Sequence, residues 1–158
     1  MNDQNDVFKD YSNALFDYQK PIFNMIQKHE KVLLKAPMDF GKTYLSCVYT
    51  GHLLNSGKTK SVTFAIQNYQ MRRKIISDLK ATGMDNAVIV CPEGRDRAFK
   101  SNKKKRVTSL KININDLRGK VIDVEYAKKN WPSYNPYYVL LYLQRFAPSF
   151  EFVITNTL

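Results

Sequence analysis

The chain has 158 residues, of which 44% are hydrophobic and 25% charged, a length and composition typical of one folded globular domain. The sequence contains no apolar run long enough to span a membrane, and its polar N-terminus lacks the apolar core of a secretory signal. Cys47 and Cys91 are the only cysteines, which excludes a disulfide framework and suits two reduced thiols in a cytoplasmic protein. The net charge of +11 favours a polyanionic partner, most commonly nucleic acid.

Residues 1–12 are predicted to form a flexible tail, and regular structure begins after them. Apolar residues at helical spacing predict a helix that starts near Lys20, because Pro21 suits a first helical turn. The apolar run 32–34 predicts a buried strand. Residues 43–55 predict a second helix that ends near Gly57, a natural stop signal.

The next residues repeat this alternation of strand and helix. Segments 61–66 and 87–90 predict two strands, with a helix over 69–80 between them. Strands joined by helix-length crossovers imply a parallel sheet with helices on both faces, so we expect an α/β core over residues 13–92. Residues 93–135 break the pattern and are interpreted as a basic insertion with β-prone stretches at 110–114 and 120–124. Residues 136–158 are expected to return to the core, with a helix over 136–146 and a strand over 150–155.

The basic insertion contains a dense run of positive charge. Lysine and arginine side chains contact phosphates rather than read bases, so the run predicts salt-sensitive, sequence-tolerant binding of single-stranded DNA or RNA. The alternative is a solvated loop that only keeps the protein soluble. The basic residues of the run are Arg95, Arg97, Lys100, Lys103, Lys104, Lys105 and Arg106.

Residues 36–43 read Ala-Pro-Met-Asp-Phe-Gly-Lys-Thr, between a predicted strand and a predicted helix. A tight loop before a helix presents backbone N–H groups and the positive end of the helix dipole to a phosphate. In such a loop Lys42 would reach the β- and γ-phosphates of a nucleotide, and the Thr43 hydroxyl would ligate magnesium. The alternative is a strand-to-helix turn with Thr43 as a helix cap and Lys42 in solvent. The predicted nucleotide-binding residues here are Pro37, Met38, Asp39, Phe40, Gly41, Lys42 and Thr43.

Two residues of this loop are unusual for a phosphate site. Asp39 stands where most such loops have glycine, and its negative charge would weaken nucleotide binding unless it points away. Phe40 is bulky for the loop. The sequence therefore predicts the phosphate-loop scaffold more firmly than it predicts high affinity.

Several short patterns resemble, in the same order, superfamily 2 helicases of the XPD/DinG-like group. Residues 36–43 resemble the family's Ala-Pro-Thr-Gly-x-Gly-Lys-Thr, and Tyr18-Gln19 resembles its adenine-reading Tyr-Gln element. Residues 135–138, Asn-Pro-Tyr-Tyr, resemble the Cys-Pro-Tyr-Tyr element that ends the iron–sulfur insertion. Residues 152–158 resemble the strand and Asn-x-x-Leu element before the Walker B box. The resemblance implies a RecA-like P-loop fold, ATP and magnesium as cofactors, and Tyr18 and Gln19 as adenine contacts.

The sequence also departs from this family. Asn135 stands where the family has its last cluster-binding cysteine, and two cysteines cannot supply the four thiolates of a common cluster. We therefore expect no iron–sulfur cluster, and a core that includes Trp131 holds the insertion instead. The 158 residues contain no Asp-Glu-x-His box and no second RecA-like domain, which the resemblance would require for hydrolysis. We therefore expect no catalytic residue and no efficient ATP hydrolysis from this chain alone.

Two functions compete for this sequence. The leading one is the N-terminal motor-domain portion of an XPD/DinG-like, ATP-dependent DNA helicase, which would be completed by a C-terminal helicase half or a partner protein. The alternative is a truncated, inactive helicase-like protein of a virus or plasmid that binds nucleic acid or a host protein. A different P-loop ATPase or kinase is less favoured.

His29 and His52 are interpreted as surface or capping residues. The aromatic residues near the basic run are interpreted either as core residues or as groups that stack on bases: Tyr134, Tyr137, Tyr138, Tyr142 and Phe146.

Overall fold

The structure, a computed structural model, describes residues 11–93, 107–146 and 151–156. These residues form an α/β fold with a four-stranded, all-parallel sheet flanked by helices, which confirms the predicted α/β class and the parallel sheet and is compatible with a RecA-like fold. Within these ranges no helix has the length and apolar character needed to cross a membrane. The chain divides into two compact units, one ending at Lys58 and including Arg73–Asp85, the other formed by Thr59–Arg72 and the residues from Asn86 onwards.

The first unit contains two of the predicted helices, α1 (Lys20–Ile26) and α2 (Lys42–Asn55). Pro21 lies in the first turn of α1, as expected of a residue that lacks a backbone N–H group. Beyond α2, Gly57 adopts a left-handed conformation with φ 69°, which ends the helix. The buried core of this unit comprises Leu15, Phe23, Leu45 and Val48.

The second unit contains the sheet, whose strand order is β1 (Val62–Ile66), β4 (Phe152–Asn156), β2 (Ile89–Val90) and β3 (Val121–Ile122). Phe152 of β4 lies opposite Val62 on one side and Ile89 on the other. Phe152, Val153 and Ile154 are all buried, as expected of a central parallel strand that is covered on both faces.

Three further helices lie among the described residues. Helix α3 (Tyr69–Ala81) follows β1, and its first residues belong to the second unit. Helices α4 (Val124–Asn130) and α5 (Pro136–Phe146) follow β3 and contact each other. The core of the second unit includes Val88, Ile122, Ala127 and Leu140. The helices predicted over 69–80 and 136–146 are therefore confirmed.

The predicted strand at residues 32–34 is wrong for the described structure. These residues have no strand assignment, and the Leu33 side chain is 96% exposed. A strand forms only when a neighbour pairs with its backbone, which an apolar triplet cannot specify by itself.

Part of the predicted insertion at 93–135, the β-prone stretch near 120–124, pairs with the sheet. Strand β3 pairs in parallel with β2, with Val121 opposite Ile89 and Ile122 opposite Val90. The stretch 110–114 forms no strand, and Ile114–Leu117 is a 3-10 turn in which Asn113 Oδ1 accepts a hydrogen bond from the Asn115 backbone. Burial of Ile122 explains why the second β-prone stretch joins the core.

A buried carboxylate stabilises the amino ends of two central strands. Glu151, which directly precedes β4, is 7% exposed. Its Oε2 accepts a hydrogen bond from the backbone N–H of Val88 at 3.1 Å, and its Oε1 forms an ion pair with Arg118. The hydrogen bond from Val88 and the ion pair with Arg118 together link the segments before β2, β3 and β4.

Candidate functional site

Residues 36–43 form a tight turn that leads directly into α2. Met38–Phe40 is a single 3-10 turn, in which the Phe40 backbone N–H donates to the Pro37 carbonyl at 3.3 Å. Gly41 follows with φ 77°, a conformation that strains any residue with a side chain. A Cβ atom on Gly41 would also lie 2.8 Å from Nε2 of Gln19. Position 41 therefore requires glycine because of its positive φ, and a side chain there would also displace the Gln19 amide.

Lys42, the first residue of α2, closes this turn. Its ammonium group donates to the carbonyl oxygens of Ala36 at 2.8 Å and Pro37 at 2.6 Å. Hydrogen bonds from a charged donor are stronger than neutral ones, so they hold the two ends of the loop together. The Lys42 side chain is therefore directed towards the loop, as a phosphate-binding lysine must be, and the alternative with a fully solvated Lys42 does not describe this structure.

The N-terminus of α2 is not capped by any side chain of the described residues. Its N-cap residue is Gly41, so the predicted alternative in which Thr43 caps the helix is wrong. Thr43 lies in the first turn and is half-buried. The first N–H groups of a helix have no partner within the helix, and together with the helix dipole they favour an anion.

Asp39 lies in the 3-10 turn and its side chain is exposed. No residue other than glycine has a positive φ in the part of the chain that the structure describes. The backbone at position 39 therefore does not need glycine, which explains how aspartate is accommodated. The neighbouring Met38 side chain is 93% exposed.

The Tyr18-Gln19 element lies against this loop. Gln19 is fully buried, and its Nε2 donates to the carbonyl of Phe40 at 3.0 Å, while its Oε1 accepts from the backbone N–H of Phe16 at 3.2 Å. The Tyr18 ring is half-exposed, stacks on Phe16 at a centroid distance of 5.5 Å and meets Phe40 edge-on at 5.3 Å. Gln19 thus positions the loop, and Tyr18 keeps an exposed aromatic face beside it.

These residues fit a magnesium nucleotide in their chemistry. Lys42 supplies a positive charge, Thr43 a hydroxyl, the uncapped start of α2 its N–H groups, and Tyr18 an aromatic face. Asp39 opposes the fit only through its charge, since its side chain faces solvent. Gln19 would have to break its hydrogen bond to the backbone of Phe16 or Phe40 before its amide could bind adenine.

The Asn135 position does not fit an iron–sulfur ligand. Asn135 is fully buried and caps α5: its Oδ1 accepts from the Tyr137 backbone at 3.0 Å, and its carbonyl accepts from the Val139 backbone at 3.1 Å. Asparagine is a favoured helix cap, and its amide offers no thiolate. Burial raises the pKa of the Cys91 thiol to about 12, which disfavours the thiolate that a metal would need.

The remaining predicted residues divide into two groups. Three of the predicted tyrosines pack against the core of the second unit and are half-buried, which favours their role as core residues. The ring centroids of His52 and Phe23 lie 5.4 Å apart. The described residues contain no group of three or more His, Cys, Asp or Glu residues suited to a metal ion. The tyrosines are Tyr134, Tyr137 and Tyr142. The basic run lies outside the described residues: Arg95, Arg97, Lys100, Lys103, Lys104, Lys105 and Arg106.

Comparison with known proteins gives no relative: no family model, no curated protein and no solved structure matches the chain.

The sequence did not reveal a second set of polar residues at the carboxyl edge of the sheet. Tyr69 lies three residues after β1, Glu93 three residues after β2, and Asp123 directly after β3. Ligands of open α/β sheets bind beyond the carboxyl ends of the strands. Polar residues that follow predicted parallel strands are therefore the available signal, but the sequence does not show that β3 pairs with β2.

Proposed function

We propose that this chain is the N-terminal motor-domain portion of an XPD/DinG-like, RecA-like ATP-dependent helicase. It binds ATP through the loop at residues 36–43 and single-stranded nucleic acid, DNA by the resemblance, through the basic run at residues 95–106. The observation that supports the proposal most is the hydrogen bond from Gln19 to Phe40. It joins the two elements that the resemblance requires in one nucleotide site, although they lie 21 residues apart in the sequence.

In this proposal each residue of the loop has a defined role. Lys42 and the first N–H groups of α2 bind phosphate oxygens, and Thr43 ligates the magnesium ion. Tyr18 stacks against the base with its exposed face, and Gln19 holds the loop through Phe40. Magnesium ATP, when bound, supplies the phosphoanhydride bond whose hydrolysis drives a helicase. We propose that this chain alone binds ATP without hydrolysing it efficiently.

The nucleotide half of the proposal is tested by titrating fluorescent ATP in the presence and absence of magnesium. We expect micromolar, magnesium-dependent binding that Lys42→Ala abolishes, because the ammonium is the main positive charge directed to the loop. Lys35→Ala is the matched control, since Lys35 is an exposed lysine of the same segment. Absence of ATP binding by the unmodified protein would refute this half.

The nucleic-acid half is tested through the salt dependence of single-stranded DNA binding. Replacing Lys103, Lys104, Lys105 and Arg106 with alanine should weaken binding and lower the slope of log K against log salt by about 3, since each phosphate contact on a single strand contributes about 0.7. An unchanged slope would remove the basic run from the interface.

A second function is favoured by one observation. The segment 32–34 is not a strand and exposes Leu33, although a sheet strand normally delivers the chain to a phosphate-binding loop. This supports the alternative of an inactive helicase-like protein that binds nucleic acid or a host protein. Normal binding of single-stranded DNA without any ATP binding would favour that alternative over the motor.

A further inference from the structure

A pocket of about 340 Å³ lies in the second unit, beyond the carboxyl ends of β1, β2 and β3. Its volume is within the range of sites that hold a small molecule or a nucleoside. The pocket is lined by two tyrosines, three carboxylates and one lysine: Tyr69, Tyr137, Glu93, Asp123, Glu125 and Lys128. None of these residues belongs to the loop at 36–43.

Arg72 lies behind the pocket and holds one of its carboxylates. The Arg72 side chain is 3% exposed, and its Nη1 donates to Oε1 of Glu93 at 2.6 Å. Its guanidinium carbon lies 4.6 Å from the centroid of the Tyr69 ring. Arg72 therefore fixes two groups of the pocket wall, a carboxylate and an aromatic ring.

The same arginine is incompletely satisfied. Its Nε and Nη2 are buried and have no hydrogen-bond acceptor among the residues that the structure describes. Buried charged donors without acceptors are costly, and native proteins retain few of them. Two unsatisfied donors on an arginine that contacts the pocket wall therefore call for an explanation, and a binding site is one.

The chemistry of the lining limits the ligand. Ionised carboxylates only accept hydrogen bonds, so the pocket suits a group with N–H donors and rejects a bare phosphate. Glu93 is paired with Arg72, and Glu125 with Lys128 at 2.7 Å. The third carboxylate, Asp123, accepts a hydrogen bond from the Tyr126 backbone at the start of α4, where the helix dipole favours a negative charge. An uncharged group with donors fits this balance, and the tyrosine rings add surfaces on which a flat aromatic group stacks.

We propose that this pocket binds an unstacked guanine base of a single-stranded nucleic acid. Guanine carries N1–H and an N2 amino group side by side, two donors that match one carboxylate, whereas adenine and cytosine carry only the amino group on that edge and thymine a single N–H. Glu93 accepts from the guanine edge, Tyr69 stacks on the base, and the strand's phosphates remain outside near Lys128. This inference rests on the nucleic-acid half of the proposed function and adds a base preference to it.

The test compares oligothymidine strands that carry one central guanosine, inosine, adenosine or cytidine, with anisotropy measured at fixed salt. The guanosine strand should bind about tenfold more tightly than oligothymidine, because it gains hydrogen bonds to a charged acceptor. Inosine, which lacks the N2 amino group, should lose part of this gain. Glu93→Gln should remove the preference for guanosine over the other three bases, whereas Glu30→Gln, an exposed acid outside the pocket, should leave the preference intact.

Glu93→Gln removes the charged partner of the buried Arg72, and a second variant is needed in case that protein does not fold. Tyr69→Leu removes the stacking ring from a half-exposed position and should also reduce the guanosine preference. Equal affinity for all four strands, with normal binding of oligothymidine, would overturn this inference alone. A preference that survives both variants would overturn the assignment to this pocket. Failure to bind any strand would overturn the nucleic-acid half of the proposed function as well, whereas ATP binding is measured independently.

Discussion

The side-chain amide of Gln19 donates a hydrogen bond to the backbone carbonyl of Phe40, with a nitrogen–oxygen distance of 3.0 Å. The same amide accepts from the Phe16 backbone, so one buried residue connects the segment before α1 to the loop before α2. Gly41 packs against this amide, since a Cβ atom at position 41 would lie 2.8 Å from Gln19 Nε2 and would displace it. The conformation of the candidate nucleotide loop therefore depends on a residue outside it.

Replacing Gln19 with methionine should weaken both the fold of the first unit and nucleotide binding. The change keeps the length of the side chain but leaves the Phe40 carbonyl and the Phe16 N–H without their partner. Loss of a buried hydrogen-bonding partner costs about 1–3 kcal/mol in the free energy of unfolding. Urea denaturation and ATP titration measure the two effects. Gln70→Met, at an exposed position, is the matched control, and equal effects of both substitutions would contradict the role of Gln19.

Asp39→Asn should strengthen ATP binding. The change removes a negative charge from the exposed turn before α2 while it retains the shape of the side chain. Removing one like charge at a solvent-exposed distance is expected to raise affinity about three- to tenfold at low salt, and less as salt screens the interaction. ATP titrations at two ionic strengths test this. Asp85→Asn, an exposed acid elsewhere in the first unit, should have no effect, and an unchanged affinity for Asp39→Asn would show that its carboxylate lies too far from the phosphates to matter.

Glu151→Ala should destabilise the sheet. The substitution leaves the Val88 N–H without an acceptor and Arg118 without its carboxylate, in a place where Glu151 is almost fully buried. We expect the free energy of unfolding to fall by about 2–3 kcal/mol. Chemical denaturation measures the change. Glu125→Ala breaks an exposed ion pair with Lys128 and should leave the midpoint unaltered, so similar losses from both variants would argue against a special role for Glu151.

Cys47 and Cys91 should resist thiol reagents in the folded protein. Burial raises the pKa of each thiol from the ordinary value of 9.0 to about 12, so neither is a thiolate at pH 8. The folded protein therefore binds more protons than the unfolded chain once the pH exceeds 9, and its stability should fall as the pH rises from about 9 towards 12. Reaction with a disulfide reagent at pH 8, with and without denaturant, tests accessibility. Rapid modification of the native protein would contradict the burial of both thiols.

The local elements were largely predictable from the sequence. Helices α1, α2, α3 and α5 have apolar residues at helical spacing and stop or start signals such as Pro21 and Gly57, and these act within a few residues. The same local signals also indicated an α/β alternation with a parallel sheet. They placed the candidate phosphate loop correctly before α2, because a glycine followed by a helix start is a local pattern.

Pairing and long-range contacts were decided only by the tertiary structure. Residues 32–34 and 121–122 are both short apolar stretches, yet only the second pairs with a strand, because pairing depends on which backbone lies alongside. The partners of Gln19, Asn135 and Arg72 were likewise not evident in the sequence, since a buried amide or guanidinium shows its role only through the groups that fold around it. The sequence by itself determined helices α1, α2, α3 and α5, the α/β class and the glycine of the loop. The tertiary structure determined helix α4, the order of the strands, the link from Gln19 to the loop and the pocket at the sheet edge, because these depend on residues far apart in the chain.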